Sequence, residues 1–249
     1  MLIDSGNEQD GYYIVQFLKA QNIGKIDYFI LTHCDEDHIG GAYKILAELQ
    51  IGTLYMPNKE NDTQTYERLL NAIERNNVNV NKNLKVSKET QYTIGNASWK
   101  ILSFDAEKNL NDSSIVIELD YGNTKYLFTG DIEKVAEKAL VEKYGHNLQA
   151  SILKVAHHGS NISTSQLFLE KVKPKYAIIS VGKDNSHNLP DIDIIERLKN
   201  NNIKIYRTDE NNTIWLTSDG IEIDINPLKY NLDGTGRKQA IFFERKYRI

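Results

Sequence analysis

The densest chemistry in the sequence is Leu31-Thr32-His33-Cys34-Asp35-Glu36-Asp37-His38-Ile39-Gly40-Gly41. An apolar run precedes it and the glycine pair leads into a helical pattern. The side chains at 33, 35, 37 and 38 therefore leave a tight loop at a strand's C-terminal end, where reactive groups gather in α/β folds. Two imidazoles and two carboxylates so close together would repel or stay unsatisfied if buried without a cation, and a divalent metal resolves that. A polar turn capping a helix could use one Asp and one His, but does not account for all four. Cys34 is a soft donor, yet candidate ligands flank it on both sides and should turn it away.

The other histidines sharpen this. Of six, only His146 lies outside a motif-like context. Val155-Ala156-His157-His158-Gly159-Ser160 follows an apolar run, Asn185-Ser186-His187 follows the strand candidate Tyr176–Val181, and Phe128-Thr129-Gly130-Asp131 ends a third. Taken singly, Asp131 reads as the N-cap of a helix over Ile132–Lys143 and His187 as a surface residue. Together, at the ends of successive strands, a shared site is the better account. Ser160 is expected to order its loop, since no base partner is implied for it as a nucleophile.

The elements that must position these residues alternate. Strands are predicted at Tyr28–Thr32, Thr53–Met56, Trp99–Phe104, Ser114–Leu119, Lys125–Thr129, Ile152–Ala156, Tyr176–Val181, Ile203–Tyr206, Thr213–Leu216 and Ile221–Ile225. Helices are predicted at Asp10–Gln21, Gly41–Glu48, Thr63–Arg75, Ile132–Lys143 and Asp191–Asn200. Asp62 and Asp191 are candidate N-cap residues, and Tyr121-Gly122-Asn123 and Ser218-Asp219-Gly220 read as hairpin turns. Many strands with helices between and outside them predict an α/β architecture of two sheets flanked by helices, a four-layer αββα sandwich. One domain over residues 1–225 is expected, with Asn76–Lys88 as a surface loop.

Composition is that of an ordinary globular chain: 249 residues, 40% hydrophobic and 26% charged. No apolar run is long enough for a transmembrane helix, and Met1-Leu2-Ile3-Asp4 shows no signal-peptide pattern. One cysteine excludes an internal disulfide and fits a reducing compartment, so a cytoplasmic location is expected. The net charge of −4 gives no global pull toward nucleic acid, but residues 226–249 carry six basic against two acidic residues, +4, which leaves −8 for the rest. This segment reads as a basic C-terminal tail or edge strand, with a substrate-binding patch as the alternative.

Leu2-Ile3-Asp4-Ser5-Gly6, the His33–His38 cluster, Thr129-Gly130-Asp131, His157-His158-Gly159-Ser160 and the late His187 resemble, in order, the motifs of the metallo-β-lactamase fold superfamily. Asp35, where many members have His, resembles the hydrolase domain of the ComEC competence channel and its stand-alone relatives. So do Asn111-Asp112-Ser113-Ser114, Leu153–Ser160 and Ile205-Tyr206-Arg207-Thr208-Asp209. The resemblance covers residues 2 to about 217. There are departures. Two strands that usually precede Leu2-Ile3-Asp4 are missing, so either the first sheet lacks an edge or the start is truncated. A metal-binding His common before the Thr-Gly-Asp motif is also missing, and Asn111 stands nearest its place.

The resemblance implies a metal-dependent hydrolase holding two divalent ions. His33 and Asp35 would hold one ion, Asp37, His38 and His187 the other, and Asp131 would bridge them. Such a pair activates water and stabilises an in-line displacement. Three carboxylates among six ligands let manganese compete with zinc. Asp37, His157 and His158 are the catalytic candidates; either histidine could steady a phosphoryl oxygen, protonate a leaving group or supply the missing ligand. ComEC-like relatives imply a phosphodiester substrate, DNA or smaller. A carboxylic ester or lactone hydrolase and an inactive metal-binding or docking module stay open beside it.

Overall fold

The computed structural model describes residues 1–82, 90–104, 109–227 and 241–242. The chain forms two compact units, Met1–Lys85 with Gln239–Ile249, and Val86–Lys238. In chain order the first contains β1 (Leu2–Ile3), α1 (Glu8–Ala20), β2 (Lys25–Ile30), α2 (Glu36–Ile39), α3 (Ala42–Glu48), β3 (Gln50–Tyr55), α4 (Gln64–Arg75) and β4 (Val80–Asn81). Strands β1 to β4 are parallel neighbours. Helices supply the crossovers, as parallel pairing demands.

In α1 the apolar residues Ile14, Val15 and Leu18 fall on one face, and in α4 Tyr66, Leu69 and Ala72 do the same. Both faces bury against Phe29, Leu31 and Leu54 in the core of this unit. The α1 entry is tied by the Asn7 N–H donating to the Asp10 carboxylate at 2.9 Å. The expected cap at Asp62 moves one residue: Thr63 is the N-cap, its hydroxyl oxygen accepting from Tyr66 N–H at 3.2 Å.

The second unit contains β5 (Gln91–Ile94), β6 (Ala97–Leu102), β7 (Val116–Tyr121), β8 (Thr124–Phe128), α5 (Lys134–Tyr144), β9 (Ile152–Lys154), α6 (Gln166–Val172), β10 (Tyr176–Ile179), α7 (Ile192–Asn200), β11 (Lys204–Arg207), α8 (Thr208–Asn211), β12 (Ile214–Ser218) and β13 (Ile223–Pro227). Its main sheet runs β11-β10-β9-β8-β7-β6-β5. The first four strands of that sheet in sequence form an antiparallel meander, and β8 to β11 are parallel. Both expected hairpin turns are present, joining β7 to β8 and β12 to β13. Leu127, Leu153 and Ala177 from adjacent strands pack with Leu140, Phe168 and Leu198 from the crossover helices. Loops after β8, β9 and β10 all leave the C-terminal ends of parallel strands, which is where Asp131, His157, His158 and His187 lie.

The last described strand, β14 (Ile241–Phe242), belongs to the first unit's sheet and pairs antiparallel with β1, Leu2 opposite Phe242. Strand β1 therefore has neighbours on both sides, β14 and β2. Most of the basic segment 226–249 lies outside the described residues.

The paired glycines of the His33–Gly41 loop serve close approach. A Cβ on Gly41 would stand 2.5 Å from Gly11 Cα and from Ser5 O, and one on Gly40 2.7 Å from Glu8 N. Backbone bonds complete the lacing: Ser5 N–H to His38 O at 2.8 Å and Gly41 N–H to Gly6 O at 3.1 Å. The loop can sit against α1 only without side chains here. Gly41→Ala should cost about 3 kcal/mol, the upper range for overpacking against backbone, read as a lowered urea midpoint at unchanged slope.

Candidate functional site

In the first unit the site is built on Asp4, at the end of β1 and only 5% exposed. Its Oδ1 accepts the Thr32 N–H at 2.7 Å; its Oδ2 accepts the Thr32 hydroxyl at 2.9 Å and His38 Nδ1–H at 2.8 Å. A hydroxyl has one proton to give. With that proton on Asp4, Thr32 Oγ1 accepts from His33 Nδ1–H at 3.2 Å. Both rings thus carry the proton on Nδ1 and a lone pair on Nε2, the tautomer a metal ligand needs. Their centroids are 4.0 Å apart. His33 Nε2 is buried with no hydrogen-bond partner among the described residues. A nitrogen lone pair so placed costs about 1–3 kcal/mol. A divalent cation satisfies it, so these residues fit one.

Asp35 and Asp37 supply charge beside the rings. Asp35 Oδ2 is 3.5 Å from His33 Nε2 and Asp37 Oδ2 is 3.9 Å from His38 Nε2. Asp35 occupies the N-cap position of α2, yet its carboxylate makes no capping bond, so a polar turn that merely caps a helix does not describe this loop. Cys34 is fully buried in the first unit's core. Its thiol donates to Lys59 O at 3.4 Å, and burial, with Asp35 adding, pushes its pKa up to about 12. It packs as a hydrophobe.

In the second unit, Thr129 follows β8 and its hydroxyl donates to Lys154 O at 2.7 Å. Gly130 takes a left-handed φ of 52°, and Asp131 N–H is received by the Ser114 hydroxyl oxygen at 3.1 Å. The helix-cap reading of Asp131 is corrected by the structure: α5 starts two residues later than expected, at Lys134, with Glu133 as its N-cap. Asn111 donates to the Glu133 carboxylate at 2.9 Å, and Asp112 accepts Glu133 N–H at 2.9 Å. The Asn111–Ser114 stretch therefore clamps the loop that carries Asp131.

His158 Nε2 lies 3.0 Å from Asp131 Oδ2. Its Nδ1–H donates to Ser180 O at 2.8 Å. A carbonyl only accepts, which places a proton on Nδ1. His157 and His158 are both left-handed, φ 48° and 52°, and Gly159 follows at 84°, where a Cβ would meet that of Pro190 at 2.5 Å. Glu137, fully buried on α5, accepts the Thr164 and Ser165 N–H groups and anchors the chain beyond. Burial pushes its carboxyl above the usual range. His187 is exposed in the Asn185–Asn188 turn, where Asn185 Oδ1 accepts its N–H at 3.2 Å. The structure thus brings His158, not His187, to Asp131.

Sequence reasoning missed the residues that hold the histidines: Asp4, Thr32 and Ser180. Asp4 stood in a motif without a role, and its partners lie 28 and 34 residues away, beyond any local spacing signal. Ser180 acts through its backbone, which no side-chain pattern reveals.

A profile described as the metallo-beta-lactamase superfamily matches residues 1–183. The chain is 34% identical over 203 residues to "ComE operon protein 3" of Bacillus subtilis (strain 168), covering 81% of this chain and 26% of that protein. It is 31% identical over 214 residues to "Competence protein ComA" of Neisseria gonorrhoeae, covering 84% and 28%. A similarity at 30% identity to "Recombination protein 2" of Haemophilus influenzae covers 80% and 24%. The chain spans about a quarter of the length of these relatives.

Two outcomes follow from the first unit's geometry. Asp4→Asn sets an amide N–H₂ against groups that all donate, and should weaken zinc binding about 10–100-fold, measured by chelator competition. An unchanged affinity would show that Asp4 does not orient His38. Cys34, with its thiol held near pKa 12, should resist iodoacetamide at pH 8 in the native protein and label fully on denaturation; rapid native labelling would place it in an open site.

Proposed function

Because the chain belongs to the metallo-β-lactamase superfamily, typically metal-dependent hydrolases, we propose that it hydrolyses phosphodiesters. The observation that carries the metal-dependent part is the buried His33–His38 pair, with both Nε2 lone pairs set by Asp4 and Thr32. We assign His33 and Asp35 to one divalent ion, Asp37 and His38 to a second, and Asp131 to both, with zinc or manganese as the metal. His158 takes the ligand or transition-state role beside Asp131 in preference to His187. That choice is supported by its burial and its carbonyl-held Nδ1–H, the usual second bond of a ligating imidazole.

When bound, the ions would lower the pKa of water and draw charge from the phosphoryl oxygens. The chain's own groups do the rest. Asp4 and Thr32 keep both imidazole protons on Nδ1, away from the reaction. Asp35 and Asp37, more exposed than the rings, balance the cationic charge. His157, half-buried on a left-handed backbone, is the candidate to meet a phosphoryl or leaving oxygen.

The substrate class rests on the relatives' names, a ComE operon protein, a competence protein and a recombination protein, which support DNA or a smaller phosphodiester. No helix among the described residues is long and apolar enough to cross a membrane.

Elemental analysis after loading should give two ions per chain, and loaded protein should cleave bis-p-nitrophenyl phosphate while leaving p-nitrophenyl acetate intact. Asp131→Ala should bring turnover to background and lower metal content. A stoichiometry fixed at one ion would sink the dinuclear centre. Ester cleavage without phosphodiester cleavage would sink the substrate class.

A further inference from the structure

The stretch Ile205-Tyr206-Arg207-Thr208-Asp209 has no part in the chemistry above, yet its hydroxyl is bonded to the backbone that holds His158. Past the end of β10, where pairing with β11 stops at Ile179 opposite Arg207, Thr208 takes over from the ladder. Its Oγ1 accepts the Val181 N–H at 2.8 Å and lies 2.8 Å from Val181 O, to which it gives its own proton. The Val181 N–H and the Ser180 C=O are the two ends of one planar peptide unit. The carbonyl end of that unit accepts His158 Nδ1–H at 2.8 Å.

We propose that Thr208 is a positioning residue for His158, acting through the Ser180–Val181 peptide plane. The inference rests on the assignment of His158 to the site proposed above. A peptide group has one free rotation here, about the bonds flanking its plane. Pinning its N–H pins the direction of its C=O, and that direction sets the imidazole's tilt and keeps the proton on Nδ1. The Nε2 then faces Asp131 Oδ2 at 3.0 Å. Hydrogen bonds in series also polarise one another, so the bond to Val181 strengthens the carbonyl as an acceptor.

Thr208 is itself held. Arg207 forks onto Asp209, Nε to Oδ1 at 3.1 Å and Nη2 to Oδ2 at 2.6 Å, and reaches Glu210 at 2.9 Å. With two carboxylates on its guanidinium, Arg207 serves as a brace for this turn.

The test compares Thr208→Val, which keeps the shape and loses the hydroxyl, with Thr208→Ser, which restores it. In metal-free protein, long-range proton–nitrogen NMR of the histidine rings should show a protected Nδ1 proton on His158. In Thr208→Val that proton should exchange faster, and the zinc dissociation constant should rise about tenfold; Thr208→Ser should recover both. A valine variant that only melts earlier, with the His158 signal and zinc affinity unchanged, would reduce Thr208 to a strand-end staple. The unmodified chain is a test by itself if the valine variant does not fold: no proton on His158 Nδ1 overturns the proposal. The ring spectrum is independent of what the enzyme cleaves, so failure on bis-p-nitrophenyl phosphate leaves this result readable.

Discussion

A carboxylate almost sealed from solvent must be compensated, and Asp4 is compensated three times over: by the Thr32 amide, the Thr32 hydroxyl and the His38 ring. Hydrogen bonds to an ionised acceptor are about twice as strong as neutral ones, so this cluster is rigid at small cost in residues. It also carries information. Thr32 spends its only proton on Asp4, and so dictates the tautomer of His33 without that ring touching the carboxylate. One acidic group thereby fixes the protonation pattern of two imidazoles. The glycine contact between Gly11 and Gly41 is the steric counterpart, bringing the loop close enough for those bonds to form.

The second unit meets the same requirement with weaker, more distributed means. A neutral carbonyl holds His158, and Asp131 is placed by hydroxyls on Ser114 and Thr129. Two successive histidines in the left-handed region cost of order 1–3 kcal/mol each. That strain persists because Glu137 and Ser163 tie the following segment to α5 and to Ile132 O. Backbone conformation here serves to aim side chains, and the tightness of the turn at Gly159 is part of that aim.

Much of this was legible in the sequence. The His33–His38 cluster pointed to a cation because four side chains able to ligate one fall within six residues. The strands bearing Asp131, His157 and His187 were readable from apolar runs ending in polar residues, and the hairpins from Gly122-Asn123 and Asp219-Gly220. Boundaries slipped by up to three residues, as with β2, which runs Lys25–Ile30 and not Tyr28–Thr32, because flanking charges blur a buried strand's start. Helix α6, at Gln166–Val172, went unread: seven residues are too few to show a period. What no pattern could supply was tertiary pairing. The group that holds His158 is a carbonyl 22 residues away, and the neighbour of β1 lay some 240 positions along the chain.

That last pairing has a consequence for how the molecule is made. Ribosomes release chain at about 5–20 residues per second, so β14 emerges roughly 10–50 s after β1. An uncovered apolar edge is a template for another chain, and among the described residues β14 is the strand that covers this side of β1. The end of the chain thus protects an edge made at its beginning.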